Sequence, residues 1–268
     1  MTKEGFPLKQ MFLSTGKEFK EIETFEPGAW IHLVNPSQEE ALKVAERFNI
    51  DIQDLRAPLD VEETSRIDVE DDYTLILVDI PTQEERNNKS YYVTIPLGII
   101  VTDEVVVTTC LENISLMDDF LNHRVRNFYT FMKTRFVFQI LYRNAQLYLT
   151  ALRSIDRQND KLEAQLENST KNEHLIDMME LEKSIVYLKA SLKMNERIVK
   201  KLTGNASSLK KYIEDEDLLE DTLVETQQAI EMAGIYENVL NAMTETSASI
   251  INNNQNTIMK TLALMTMA

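Results

Sequence analysis

The sequence is poor in the residues that build loops, disulfides and soft-metal sites. Its 268 residues include only 6 glycines and 6 prolines, which favours long regular elements over a loop-rich sandwich. The single cysteine, Cys110, excludes a disulfide framework and agrees with a reducing cytosol. The three histidines, His32, His123 and His174, have no second ligand at metal-binding spacing. A structural zinc site is therefore not expected, and we interpret each histidine as a surface or packing residue.

Positive charge is also scarce. Lysine and arginine total 28 against 44 aspartates and glutamates, which gives a formal net charge of −16. This balance argues against nucleic acid as a partner, because contacts to phosphate need a basic surplus, and it is compatible with attraction of cations. The phosphate-loop, nucleophile-elbow and HExxH motifs are absent. The sequence therefore predicts a protein that is not an enzyme.

Long hydrophobic runs are missing as well. No run reaches the roughly 18–20 apolar residues that a membrane-spanning helix requires, and residues 1–20 lack the apolar core of a signal peptide. Residues 257–268 nevertheless become apolar after a long polar segment, without a capping residue or a breaker. Two interpretations stay open for them: a frayed hydrophobic tail, or the beginning of a membrane span at which the chain is cut.

The first 125 residues contain mixed strand and helix signals. Runs rich in valine, isoleucine, threonine and tyrosine predict five strands, at residues 9–14, 30–34, 73–80, 91–101 and 105–110. Residues 37–48 predict a helix in which Ser37 and Glu40 form a capping box. Its expected apolar face consists of Ala41, Leu42, Val44, Ala45 and Phe48. Residues 51–59 predict a second short helix, so a sheet covered by helices is expected.

The rest of the chain predicts three long helices, at about 131–168, 173–202 and 216 to the chain end. The second helix carries a heptad seam, formed by Met178, Leu181, Ile185, Leu188, Leu192, Asn195, Val199 and Leu202. Asn195 is its one polar member, and such a residue commonly fixes register. The third helix, about 75 Å long, is expected to project. The sequence thus predicts a compact head joined to a helical stalk.

The third helix begins with an acidic run. Its members are Glu214, Asp215, Glu216, Asp217, Glu220 and Asp221. A solvated helix start explains the first turn only, whereas Asp217, Asp221 and Glu225 are spaced by four and should repel by about 0.2–0.5 kcal/mol per pair. The counter-charge is either the basic second helix or a bound divalent ion, for which oxygen ligands suit magnesium. The basic residues in question are Lys183, Lys189, Lys193, Arg197, Lys200 and Lys201.

Three segments resemble the CorA family of divalent-cation channels. Residues 252–262 (NNNQNTIMKTL) resemble the segment at which the family's stalk helix enters the bilayer. Residues 72–80 (DYTLILVDI) resemble a family strand that follows a charged stretch, and residues 156–163 (DRQNDKLE) resemble the start of its acidic helical hairpin. The similarity runs in order through essentially the whole chain. The family's Gly-Met-Asn signature does not occur, and the resemblance places it beyond residue 268.

The resemblance implies an α+β fold. An N-terminal α/β/α domain is expected at residues 1–125, an acidic helical hairpin at 126–215, and a long stalk helix at 216–268 that ends where the first membrane span begins. In the family, five copies form the pore.

The resemblance also implies site residues, found by counting back from Met259 and Lys260. Asp221 falls at the stalk position that binds regulatory magnesium between subunits, with Glu225 and Asp217 one turn away on either side. The family's partner triplet Leu-Glu-Asp is absent from residues 54–60 (DLRAPLD), where Asp60 or Asp54 would replace it. The implied pore-lining positions are Glu245, near the inner mouth, and Asn256, Met259 and Leu262.

The function that the resemblance implies is magnesium sensing and gating in a homopentameric channel, at the cytoplasmic face of the cell membrane. Cobalt and nickel are further candidate ions. Two alternatives stay open: a zinc-transporting relative in the same superfamily, and a cytosolic scaffold whose heptad seam binds partner helices.

Overall fold

The fold combines one mixed sheet with two helical layers and a long helix. The computed structural model describes residues 9–16, 18–86, 89–166, 172–203 and 213–267. The strands are β1 (Lys9–Thr15), β2 (Glu18–Glu21), β3 (Trp30–Val34), β4 (Arg66–Val69), β5 (Tyr73–Arg86), β6 (Lys89–Thr102) and β7 (Val106–Cys110). The helices are α1 (Gln38–Phe48), α2 (Ile52–Arg56), α3 (Ser115–Leu121), α4 (Lys133–Leu166), α5 (Asn172–Thr203) and α6 (Ile213–Met267). The predicted α+β class is confirmed.

The sheet has the order β2-β1-β3-β7-β6-β5-β4. Only β3 and β7 pair in parallel, and the other described pairs are antiparallel. The sequence prediction missed β2 and β4, which are the two edge strands. Each has four residues, two or more of them charged, and short charged edges are a common protection against unwanted strand pairing. Such strands leave almost no hydrophobic alternation to detect.

Each face of the sheet is covered. One face packs on α1 and α2 through residues such as Val44, Phe48 and Leu55. The other packs on α3, the start of α4, the end of α5 and the start of α6, with Phe120, Phe136 and Leu219 at its centre. The sheet thus lies between two helical layers, and residues beyond 125 contribute most of the second layer.

The first helix follows its sequence signals with one exception. Ser37 and Glu40 form the predicted capping box, and Asn49 ends α1 in the left-handed conformation. Leu42, predicted on the apolar face, is 44% exposed, because the buried stripe passes through Ala41, Val44 and Ala45 instead. Residues 51–59 form α2 followed by a 3₁₀ turn at Ala57–Leu59, since Pro58 has no N–H to continue the α-helix.

The three long helices α4, α5 and α6 pack against one another in a constant register. All eight predicted seam positions of α5 are buried. Arg135 contacts Asp215, 80 residues away. Burial, followed by the nearby Asp156 carboxylate, raises the pKa of Tyr236, so these two residues are also neighbours. The members of both pairs lie equally far apart in the sequence, so α4 and α6 run parallel.

Helices α5 and α6 pack against each other in antiparallel orientation. Gln227 donates to Glu196 at 3.3 Å, Lys189 pairs with Glu237, and the Ser247 hydroxyl lies 3.9 Å from the sulfur of Met178. At the level of Ser247, α5 has almost reached its first residue. The last part of α6 therefore extends past the described part of α5, as the predicted projection requires. None of the described helices has a stretch apolar and long enough to cross a bilayer.

Asn195 fixes α5 to the sheet rather than to another helix. Strand β4 pairs with β5 only as far as Leu77, which leaves the backbone of Asp79 without a strand partner on that side. The Asn195 carboxamide donates to the Asp79 carbonyl at 2.8 Å and accepts from its N–H at 3.1 Å. Asn144 and Tyr148 of α4 donate to the same carbonyl at 2.8 and 3.2 Å. One backbone position of β5 therefore holds both helices in register.

We predict that Gly98→Ala destabilises the fold by about 1–3 kcal/mol, because overpacking forces the backbone to shift. A Cβ on Gly98 would lie 2.3 Å from Cγ of Pro58, and the proline ring cannot turn aside. Urea unfolding measures the change. The matched control is Gly234→Ala in α6, whose added Cβ would meet only the mobile end of Lys189 at 3.7 Å. This control should gain up to about 1 kcal/mol; equal losses in both variants would contradict the packing argument.

We predict that His32 makes the fold less stable as the pH falls from 6.5 to 4. Its Nδ1 lies 2.9 Å from the Thr108 hydroxyl, and its buried Nε2 has no partner among the described residues. Burial lowers the pKa of His32 from 6.5 to about 4, so between these values the unfolded chain binds the proton more readily. The loss of folding stability reaches about 3 kcal/mol, and it is complete below the pKa that His32 has in the folded chain.

Unfolding of His32→Phe across this pH range tests the prediction. The ring of His32 lies 5.4 Å from that of Trp30, and phenylalanine retains this contact but does not titrate. His123→Asn is the control: it removes an exposed histidine at a positive φ of 57° that asparagine tolerates. An unchanged pH profile in His32→Phe would disprove the assignment.

Candidate divalent-cation site

The first turn of α6 is anchored to the head. Asp215 is only 4% exposed and lies 3.4 Å from the guanidinium of Arg135 in α4. One turn on, Leu219 enters the core between the sheet and the helices. The acidic start of α6 is thereby held at the level of the head domain.

Asp217 and Asp221 lie on the exposed face of this anchored segment. Both point away from the buried positions Asp215, Leu219 and Thr222. Within the described part of the chain, neither carboxylate has an ion-pair partner. The predicted like-charge pair is therefore present and open to solvent.

Glu225 does not share this open face, although its spacing by four suggested that it would. It is half-buried and lines a cleft of about 470 Å³ between α3, α4 and α6. Arg143 and Arg153 of α4 and Asp119 of α3 line the same cleft. The positive groups that line this cleft with Glu225 belong to α4.

The basic residues of α5 do not neutralise the acidic face. Lys189 pairs with Glu237, Lys200 pairs with Glu196 at 2.7 Å, and Lys201 donates to the Ile67 carbonyl at 2.9 Å. No ion pair joins α5 to Asp217, Asp221 or Glu225 over the residues that the structure describes. Of the two counter-charges considered from the sequence, the intramolecular one is therefore not found.

The head domain brings together the two candidate partner residues, Asp54 and Asp60. Both line a second cleft of about 460 Å³ formed by α2 and the 3₁₀ turn. Arg66 lies in this cleft and forms ion pairs with Asp54 at 3.8 Å and with Glu63 and Asp68, each at 2.5 Å. The close approach of the 3₁₀ turn to Gly98 places these residues on the sheet.

The two carboxylates differ in how much of their bonding capacity is used. Asp54 accepts the Tyr73 hydroxyl at 2.6 Å and faces Arg66. Burial, followed by the Asp54 carboxylate, raises the pKa of the Tyr73 phenol, which therefore remains a donor at neutral pH. Asp60 is exposed and uses one oxygen to accept the N–H of Glu62 at 3.0 Å. Asp60 has the more available carboxylate for an external cation.

The two halves of the candidate site lie on opposite faces of the sheet. The head cleft belongs to the α1–α2 side, whereas α6 packs on the other side. Among the described residues of one chain, no group of three or more histidine, cysteine, aspartate or glutamate side chains is placed to hold a metal ion. A site that joins Asp60 to Asp221 therefore needs two copies of the chain.

The predicted pore-lining positions lie on the far part of α6. Glu245 is exposed, and Met259 and Leu262 are 71% and 62% exposed. Asn256 belongs to α6, but its side chain lies outside the described residues.

Sequence reasoning missed the two arginines that organise the site. Arg66 is the centre of the head-cleft ion pairs, and Arg135 anchors α6 through Asp215. Arg66 had a signal, since it is the only basic residue between Asp60 and Asp72. Arg135 had none, because its partner lies on a different helix.

Comparison with known proteins agrees with this architecture. The family model described as CorA-like Mg2+ transporter protein matches residues 26–268. The cobalt/magnesium transport protein CorA of Methanocaldococcus jannaschii is 27% identical over 251 residues, which cover 88% of this chain and 74% of that protein.

Two solved structures share the fold. The complete CorA magnesium transporter from M. jannaschii superposes with a TM-score of 0.83 at 22% identity, covering 98% of this chain and 84% of that one. The soluble domain of the same CorA gives a TM-score of 0.80 at 22% identity, covering 91% and 97%. Because the family model spans most of the sequence, this chain belongs to the CorA-like Mg2+ transporter family.

Proposed function

We propose that this chain is the magnesium-sensing and gating part of a CorA-type transporter, positioned at the cytoplasmic face of the cell membrane. Copies of the chain associate into the expected pentamer. In this assembly, α6 of one copy faces the head cleft of the next copy. Magnesium then binds between Asp221 and Asp217 on α6 and Asp60 of the neighbouring copy. Asp54 and Glu225 assist from the edges of the site.

The observation that carries this proposal is the exposed like-charge pair on an anchored helix. Asp217 and Asp221 have no ion-pair partner among the described residues, and Arg135 holds the segment in place through Asp215. Like charges one turn apart cost about 0.2–0.5 kcal/mol per pair. A cation supplied from outside the chain removes that cost.

The donor set fits magnesium. Asp217, Asp221 and Asp60 offer carboxylate oxygens only, which are hard ligands, and magnesium usually keeps several waters and takes one or two carboxylates. Half-sites on two copies suit an ion that is held partly through water. The affinity should accordingly be modest.

The gating mechanism follows from repulsion between copies that each carry a formal charge of −16. When magnesium occupies the sites, it bridges neighbouring carboxylates and favours the closed, symmetric arrangement. When its concentration falls, the sites empty and repulsion favours a conducting arrangement. The ion shifts the population only by its difference in affinity between the two states. On the far part of α6, Glu245, Asn256, Met259 and Leu262 face the pathway of the transported ion.

Two alternatives predict different metal responses. In a zinc-transporting relative, zinc would act at lower concentration than magnesium, cobalt or nickel. A cytosolic scaffold would show no specific response to any of these ions. The family match favours magnesium and cobalt transport over both.

We predict that magnesium stabilises the chain and increases its assembly, and that Asp217→Asn with Asp221→Asn removes both effects. The single variant Asp221→Asn should raise the apparent Kd roughly tenfold, because one of few carboxylate ligands is lost. Thermal unfolding and sedimentation velocity of the full chain, titrated with MgCl2, CoCl2, NiCl2 and ZnCl2, measure the responses.

Glu46→Gln is the matched control, since Glu46 is an exposed α1 carboxylate outside the proposed site. Its magnesium titration should coincide with that of the unchanged chain. If the double aspartate variant still responds normally, the acidic face of α6 is not the sensing site.

A further inference from the structure

We propose that the exposed face of α5 in one copy packs against the exposed face of α6 in the next copy, basic residues against acidic and apolar against apolar. The inference rests on the proposed self-association and names the surfaces that form it. The contact is separate from the Asp217–Asp221 site and does not require a metal ion.

The exposed face of α5 has two parts. Toward its C-terminal end it carries Lys193 and Arg197, which are exposed and form no ion pair with another described residue. Nearer its N-terminal end it carries Val186 and Tyr187, which are 44% and 49% exposed. Exposed apolar surface that is contiguous along a helix is the kind of surface that protein interfaces cover.

The exposed face of α6 has the complementary two parts. Glu231 is exposed and has no ion-pair partner among the described residues. Further along the helix, Ile235 and Val239 are 59% and 45% exposed. All three lie on the side away from the buried positions Ala229, Ala233 and Leu240.

The contacts between α5 and α6 within one chain show which parts lie at the same position along the bundle. The Glu196–Gln227 and Lys189–Glu237 pairs mark two levels. Lys193 lies between these levels on α5, and Glu231 lies between them on α6. Val186 and Val239 both lie just past the second level, on the same side of it.

In a ring of copies, the two surfaces that meet must lie at the same position along the ring axis. Rotation about an axis along the helices leaves the level of every residue unchanged, so a surface can meet a different surface of the next copy only at its own level. Here the basic part of α5 meets the acidic part of α6, and the apolar parts meet each other. Complementary charge of this kind fixes register and partner choice.

The test exchanges the charges of the two faces. Lys193→Glu with Arg197→Glu makes α5 acidic, and Gln228→Lys with Glu231→Lys makes α6 basic; all four side chains are exposed and lie outside the proposed metal site. Either double variant should self-associate roughly tenfold more weakly than the unchanged chain. The quadruple variant should recover the original association. Sedimentation velocity over a concentration series, in excess MgCl2 and again in EDTA, gives the values, and circular dichroism confirms folding.

Lys43→Glu with Arg47→Glu is the matched control, because it reverses two exposed basic residues at the same spacing on α1. It should leave association unchanged. An assembly that is insensitive to the α5 double variant, or that the quadruple variant fails to restore, overturns this inference alone. A chain that stays monomeric at every concentration, with and without magnesium, overturns both this inference and the proposed self-association.

Discussion

The packing of α6 along α4 and α5 in one fixed register is the constraint on which the rest of the structure depends. Its buried positions are mostly small or polar, such as Thr222, Thr226, Ala229 and Ala233, and they receive the large side chains of the α5 seam. The two threonine hydroxyls bond back to their own helix at 2.7 Å, so burying them leaves no hydrogen bond unmade. Close approach along this seam decides which α6 residues face solvent.

This register gives the acidic residues of α6 different surroundings. Asp215 turns inward to Arg135, Glu225 lines the cleft that the α4 arginines also line, and Asp217 and Asp221 stay exposed. Four acidic residues of similar appearance in the sequence thus have three different environments. Only the exposed pair is left to an external cation, and in our proposal the repulsion between its members is the driving force for sensing.

Attachment of the bundle to the head is polar as well as apolar. Asn195, Asn144 and Tyr148 converge on the Asp79 carbonyl, and the outer end of the β5–β6 hairpin contacts α5 through the Lys89–Asp177 pair at 2.7 Å. Since hydrogen bonds are directional, these contacts fix where the helices sit in a way that apolar burial alone does not. The head, α4 and α5 are therefore held in one fixed arrangement.

The sequence by itself determined the α+β class, the capping box at Ser37, the α5 seam and the long third helix, because each is written in local periodicity that packing then reinforced. It also placed Asp54, Asp60 and Asp221 as candidates, but through resemblance rather than through spacing. Only the tertiary structure decided that Glu225 leaves the acidic face, that α5 does not neutralise it, and that Asp60 and Asp221 lie on opposite sides of one sheet. The physical reason is that side-chain direction on a helix is set by what the helix packs against. Those partners lie on other helices, from 31 residues away for Glu196 and Gln227 to 80 for Arg135 and Asp215.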